Sequence, residues 1–329
     1  MEKYQHIVGV DLSKKTIDMV CHQSRKYLQI SNDKAGFKQL LLWFKGQNID
    51  VSKTMLVMEH TGLYSFCFEK FLQEKGICFT KVNALAIKHS MGLVRGKSDK
   101  TDAQRIARYG FEKQNILQLQ TPANEATQRL EMLLSTGERP VKQKAGLLNS
   151  LEEYRNIGLS GQDIIMQTQT KLIKEFEKQI DKLEKEMDAV IKSEEALQHN
   201  YELLLTIKGV GKVAAITTLV KTDNFSRFSN AGKFACYCGT APFEHSSDSS
   251  IRGKTRVSQA DKRMKTILDL CAKSAIQYYR ELREYYQKRV AMGKSKMSTI
   301  NIVRNKIIYR MFAVIKRQTP FIENYLQAA

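Results

Sequence analysis

Asp11, Glu59, Asp99 and Asp102 are four carboxylates whose types and spacing could hold divalent cations, in a chain of 329 residues with a formal net charge of +19. Neighbouring carboxylates resist ionising together, so a basic protein gathers them at a cost unless a cation lies between them. Asp11 closes the apolar run His6-Ile7-Val8-Gly9-Val10, and Glu59 closes Met55-Leu56-Val57-Met58, so both read as the last residues of buried strands. Asp99 and Asp102 stand where a helical pattern begins, and their three-residue spacing puts both on one helix face. Two Mg2+ ions, with Mn2+ as a substitute, take all-oxygen ligands; about 3.5–4 Å apart they activate a nucleophile and stabilise the leaving oxygen in phosphodiester cleavage. Taken singly, Asp99 could be a helix cap and Asp11 a surface charge; the four together are more specific. Lys81, Lys88, Arg95, Lys97, Lys100, Arg105 and Arg108 surround them in sequence and would hold a phosphate backbone.

The elements that must position these residues follow from periodicity. Residues 1–120 read as an α/β domain, with strands at 6–11, 16–22, 26–30, 54–59 and 77–82 and helices at 35–46, at 64–75 and from about 101. Three strands, then helix, strand, helix, strand, is the order of the ribonuclease H-like fold, in which acids at neighbouring strand ends meet at one edge of the sheet. Residues 121–198 read as a helical coiled-coil linker. Ile173, Phe176, Ile180, Leu183, Met187 and Val190 form an a/d seam, whose partner is either the helix around 126–155 or another subunit. Pro140, preceded by Gly137, should break or kink the upstream helix.

Residues 199–329 read as a mainly α domain. Leu203-Leu204-Leu205 precedes a turn with Gly209 and Gly211, and a second helix starts at Lys212. The pattern is that of a helix-hairpin-helix, which grips a DNA phosphate through free backbone amides, with an ordinary helical turn as the alternative. A glycine- and serine-containing loop, 239–259, comes next, followed by basic helices. In that loop Ser246, Ser247, Ser249 and Ser250 stand near Arg252, Lys254 and Arg256. A serine among cations can attack a phosphodiester, but from these residues alone a flexible polar loop is the favoured reading.

Charge narrows the class of partner. The chain holds 53 Lys and Arg against 34 Asp and Glu, and within 251–318 the balance is 18 against 4, which calls for a polyanion. The six cysteines, at 21, 67, 78, 236, 238 and 271, lack paired CxxC spacing and read as reduced thiols of a cytosolic protein rather than zinc ligands. The first strand follows Met1 without a signal peptide, and no apolar run reaches the ~18 residues of a membrane span, so a soluble, intracellular protein is expected, with no membrane partner. A sugar-kinase-like ATPase would need a glycine-rich phosphate turn after Asp11, where this chain has Leu12-Ser13-Lys14-Lys15.

Gly9-Val10-Asp11, Met58-Glu59-His60-Thr61-Gly62-Leu63-Tyr64 and Lys97-Ser98-Asp99-Lys100-Thr101-Asp102-Ala103 resemble the DEDD tetrad of one insertion-sequence transposase family. Thr206-Ile207-Lys208-Gly209-Val210-Gly211 and Ser247-Asp248-Ser249-Ser250-Ile251-Arg252-Gly253 resemble its C-terminal domain, in the same order. That family includes the bridge-RNA-guided recombinases and is related to Piv-type DNA invertases. The resemblance implies a RuvC-like N-terminal domain, a coiled coil and a C-terminal transposase domain. It implies that Asp11, Glu59, Asp99 and Asp102 bind Mg2+, and that Ser247 is a nucleophile forming a transient phosphoserine link to DNA, which reverses the loop reading; Ser246 adjoins it. Lys97, Lys100, Arg105, Gly209, Gly211, Lys212, Arg252, Lys254 and Arg256 are then the expected nucleic-acid contacts. The expected assembly is a prokaryotic, nucleoid-associated dimer or tetramer holding a guide RNA with donor and target DNA, its acidic site and Ser247 meeting from different subunits. The competing readings are a RuvC-like Holliday-junction endonuclease that uses the acids alone, and a non-catalytic nucleic-acid scaffold, which explains the charge but not the tetrad.

Overall fold

The computed structural model describes residues 4–60, 62–92, 98–120, 124–241, 243–247, 251–256 and 260–322. The chain divides into two compact units, Met1–Pro122 and Ala123–Ala329.

The first unit is built on β1 (His6–Leu12), β2 (Thr16–Cys21), β3 (Tyr27–Ser31), β4 (Thr54–Glu59) and β5 (Cys78–Val82), in the sheet order β3-β2-β1-β4-β5. β1, β2 and β3 pair antiparallel, whereas β1–β4 and β4–β5 are parallel. Their connections carry α1 (Lys34–Gly46) and α2 (Phe66–Glu74), and α3 (Ala84–Ser90) and α4 (Asp99–Lys113) follow β5. This is a mixed α/β sheet consistent with a ribonuclease H-like arrangement. The expected helix at 64–75 is a 3-10 turn, Gly62–Ser65, running into α2. The short α3 escapes the sequence reading, since seven residues are too few for a helical period to show.

Alternation along the strands sorts the sheet into two faces. Val8, Val10 and Leu12 of β1 join Leu56, Met58, Ile17 and Met19 in one core, with Phe37, Leu40 and Phe44 of α1 and Phe68 and Leu72 of α2. Ile7, Met55 and Val57 face the opposite way, into a core with Val82, Ile87 and Ile106. On this second face α4 lies directly on the sheet. A Cβ on Gly9 would stand 2.2 Å from both the Ala103 carbonyl oxygen and the Ala107 nitrogen, and one on Gly110 would stand 2.6 Å from Val57 Cγ2. Glycine and alanine at these four places let the backbones of helix and strand touch. Ser98 and Thr101 close a capping box that fixes where α4 begins.

The second unit is mostly helical. α5 (Glu125–Asn156) and α6 (Ile164–Lys192) form an antiparallel hairpin, with Arg129 bonded to Glu186 at 3.1 Å, Lys144 to Glu177 at 3.0 Å, and Leu151 beside Met166 and Ile173. Of the apolar seam of α6, Ile173 packs with Leu151 of the helix before it, and Leu183, Met187 and Val190 join the larger helical core. Pro140 does not break α5, which runs unbroken through it; the turns on either side are held by α6, and that packing outweighs the lost hydrogen bond. Leu130, Leu133 and Leu134 of α5 and Met187 and Ile191 of α6 enter a core shared with α7 (Glu195–Leu205), α8 (Lys212–Thr222), α9 (Ala231–Tyr237), α10 (Lys262–Tyr278), α11 (Arg280–Ala291) and α12 (Lys296–Arg317). The expected 239–259 loop is corrected to a hairpin of β6 (Phe243–Ser247) and β7 (Ile251–Arg256). Its serines mask the signal, because strand propensity is a packing preference that a polar ribbon does not display. Among the described residues no helix is long and apolar enough to cross a membrane.

Candidate acidic active centre

The register of the sheet brings the acids to one edge. Asp11 and Glu59 fall on the odd-numbered face of β1 and β4 with Ile7, Met55 and Val57, the face that α4 covers. Val10 pairs with Met58, so Asp11, next to the end of β1, and Glu59, at the end of β4, lie at the same level of neighbouring parallel strands. α4 supplies Asp99 and Asp102 in its first turn, and Ala103, next to Asp102, touches Gly9, two residues before Asp11. The charges feel one another. Burial, then Asp102, Glu59, Asp99 and Asp18, push the Asp11 carboxyl up to about 6. Glu59 is raised as well, by burial and by Asp102.

Asp18 is the residue that sequence reasoning missed. It lies directly opposite Asp11 in the β1–β2 register and is 2% exposed. Its Oδ1 accepts hydrogen bonds from the Tyr27 hydroxyl and, at 2.9 Å, from Gln29 Nε2, both across the β2–β3 ladder. Burial and Asp18 push the Tyr27 phenol up to about 12. A lone acid at an inward position of the otherwise apolar Thr16-Ile17-Asp18-Met19-Val20-Cys21 is the signal that would have found it. Lys100 lies over the Tyr27 ring at 5.3 Å and ties the first turn of α4 to this corner.

Several expected cations have partners within the chain. Arg105 Nη1 donates to Asp102 Oδ1 at 2.6 Å. Lys81 Nζ lies 3.0 and 2.9 Å from the two Glu69 oxygens, and Arg108 Nε is 2.7 Å from Glu112 Oε1. Lys88 is exposed, and Arg95 and Lys97 lie outside the described residues. As the side chains stand, no three His, Cys, Asp or Glu among the described residues converge closely enough to enclose an ion. Asp102 is turned to Arg105 instead. The donor set nevertheless suits a hard cation: all its ligand atoms are carboxylate oxygens, and a cation would relieve their mutual repulsion.

In the second unit, Gly209 takes φ +91°, and a Cβ there would stand 2.7 Å from Ala275 Cβ and from the Cys271 carbonyl oxygen, so its bare backbone packs against α10. Gly211 is exposed at the N-cap of α8, with open space where a Cβ would be. Lys212 Nζ is held by Asp188 of α6 at 2.7 Å, and this ion pair raises its pKa. Ser247 closes β6 and pairs with Ile251, with an irregularity in the ladder between His245 and Ser247. Arg252, Lys254 and Arg256 occupy every second position of β7; Ser249, Ser250 and Asp248 lie outside the described residues.

Residues 8–154, which span all four acids, match a DEDD family model described as transposase, and residues 201–287, which span Gly209, Gly211 and Ser247, match one described as transposase of the IS116/IS110/IS902 family. The chain belongs to the IS116/IS110/IS902 transposase family. It is 28% identical over 322 residues to the pilin gene-inverting protein of Moraxella bovis, covering 95% of this chain and 97% of that one. The pilin gene-inverting protein of Moraxella lacunata is similar to the same extent. An uncharacterised 43.6 kDa protein of insertion element IS110 from Streptomyces coelicolor is 28% identical over 126 residues, covering 38% of this chain and 31% of that one. As a member of the IS116/IS110/IS902 family, the chain is a DNA-recombining enzyme, and DEDD transposase domains of this kind generally use divalent metal ions.

Proposed function

We propose that this transposase is a Mg2+-dependent recombinase, guided by a bridge RNA, that cuts and rejoins DNA through a serine-linked intermediate. The observation that carries the reading is the gathering of acids from β1, β4 and α4 at one end of the sheet, where burial and their repulsion push the Asp11 carboxyl up to about 6. Asp11, Glu59, Asp99 and Asp102 would hold the metal, which when bound supplies Lewis-acid stabilisation of the phosphate. Arg105 releases Asp102 for that role and turns to the DNA phosphates.

Ser247 is the nucleophile of this proposal. Its Oγ forms a bond to phosphorus as the bond from phosphorus to one strand's sugar oxygen breaks; the serine proton leaves, and the departing sugar oxygen takes up a proton. The phosphodiester bond energy is kept in the phosphoserine, so a sugar hydroxyl of the partner strand can displace Ser247 and reseal the DNA. Lys100, Arg252, Lys254 and Arg256 hold phosphates about the two reacting groups, with Lys97 beside them in sequence. The backbone turn at Gly209, Gly211 and Lys212 grips a neighbouring duplex in the manner of a helix-hairpin-helix. The acidic centre of one subunit works with Ser247 of another in a dimer or tetramer. Likeness over nearly the full length to proteins named for inverting a pilin gene supports conservative strand exchange as the outcome.

The test compares Asp11→Ala and Ser247→Ala on a plasmid carrying donor and target sites, with RNA that co-purifies with the protein present. Both variants should abolish recombination, and Ser247→Ala should also abolish the covalent protein–DNA species. Recombination that survives Ser247→Ala but not Asp11→Ala would leave an endonuclease that uses the acids alone. Absent or random co-purifying RNA would remove the guide.

A further inference from the structure

The β6–β7 hairpin joins the helical core at two points, and both joints are made of polar groups: Thr240 and Arg304 are buried, and Asn301, Asn305, Tyr237 and Asp261 are half-buried. At the entering joint Thr240 follows α9 and is fully buried. Asn301 Nδ2 and Asn305 Nδ2, one turn apart on α12, donate to its carbonyl oxygen at 2.8 and 2.9 Å, and its hydroxyl donates to Asn305 Oδ1 at 2.7 Å. Asn301 is fixed in turn by Arg304 Nη1 at 3.3 Å, and the buried Arg304 is paired with Asp269 of α10. At the leaving joint the Asp261 N–H donates to the Tyr237 carbonyl at 3.0 Å, and the Tyr237 hydroxyl donates to Asp261 Oδ2 at 2.8 Å. The other oxygen of Asp261 caps α10 by accepting the Met264 N–H at 2.8 Å.

This arrangement is costly for a core. Amides and hydroxyls that are buried or half-buried there lose water and must find partners, and leucine or valine in the same space would hold the helices together without that demand. Directional bonds do what apolar packing does not, which is to fix the path and angle at which the chain leaves and re-enters the helices. A reacting group carried on a hairpin needs that control, because catalytic geometry tolerates only about 0.5 Å.

We propose that Asn301, Asn305 and Thr240 at one joint, and Tyr237 and Asp261 at the other, are positioning residues that set the reach and angle of the hairpin carrying Ser247. The inference rests on the reading of Ser247 as nucleophile. None of the five residues touches the reacting atoms; they act through the backbone of β6 and β7.

The full-length protein is assayed with its DNA and co-purifying RNA for the rate of covalent protein–DNA adduct formation. Separately, without nucleic acid, it is assayed for trypsin cleavage after Arg252, Lys254 and Arg256. A double variant, Asn301→Ala with Asn305→Ala, should lose roughly tenfold to a hundredfold in adduct rate at unchanged DNA affinity. Its hairpin should be cut faster while the helical core stays resistant, and Thr240→Ser, which keeps the hydroxyl, should behave as the parent in both assays. If the double variant does not fold, Tyr237→Phe, which removes one hydroxyl from the other joint, is read the same way. Parental values in either assay for the variant that folds overturn the inference. Adduct that persists in Ser247→Ala instead overturns the nucleophile reading, whatever the joint variants do.

Discussion

Asp11 is where the local electrostatics become measurable. A carboxyl raised from 3.8 to about 6 binds its proton more tightly in the folded chain than in the unfolded one. Its contribution to stability is therefore present below about pH 4 and is lost as pH rises through about 6. Asp11→Asn removes that penalty, so the metal-free variant should melt at a higher temperature than the parent at pH 7–8, and the difference should vanish near pH 4. Melting curves across this range check the sign; a variant less stable than the parent at pH 8 would mean that Asp11 is not under repulsion. Asp18, Tyr27 and Gln29 extend the same corner inward, and it is their hydrogen bonds that allow one acid of the group to be almost wholly buried beside the others.

Two elements carry the geometry, and each depends on a residue that a helix or strand usually avoids. β1 meets α4 at Gly9, where any side chain would collide with the Ala103 and Ala107 backbone. Gly9→Ala should displace α4 and with it Asp99 and Asp102, at a cost of about 1–3 kcal/mol or more from overpacking. Loss of the Mg2+ binding proposed for the acidic centre, read by calorimetry in a chain that still shows its helical signal, checks this expectation. α5 holds Pro140 in its interior, where proline costs about 3 kcal/mol relative to alanine. Pro140→Ala should raise the denaturation midpoint; a fall would show that the proline shapes the α5–α6 contact rather than burdening it.

At the scale of the whole molecule the excess of cations decides how the protein meets its substrate. Lys and Arg exceed Asp and Glu by 19, and many of the surplus cations stand in 251–318. Phosphate contacts release counterions, so affinity for DNA should fall steeply and linearly with the logarithm of salt concentration. Fluorescence anisotropy between low and physiological salt tests it, and a flat response would assign the positive charge to something other than nucleic acid. The division into two units gives each half of the proposed chemistry its own frame, the acids on β1, β4 and α4 in the first and Ser247 on the β6–β7 hairpin in the second.

The strands of the first unit and the placement of Asp11 and Glu59 on strands and of Asp99 and Asp102 in the first turn of a helix could be read from the sequence, because alternation and helical spacing are local properties that survive without a fold. The same local logic misjudged Pro140 and the serine segment, where packing along α6 and pairing of β6 with β7 override residue preference. Tertiary structure alone decided that Asp18 stands opposite Asp11, that Arg105 holds Asp102, that Lys212 is tied to Asp188, and that Ile173 of α6 packs with Leu151 of α5. Each is a contact between sequence-distant groups or a choice among side-chain directions, fixed by strand register and helix packing rather than by the identity of either residue.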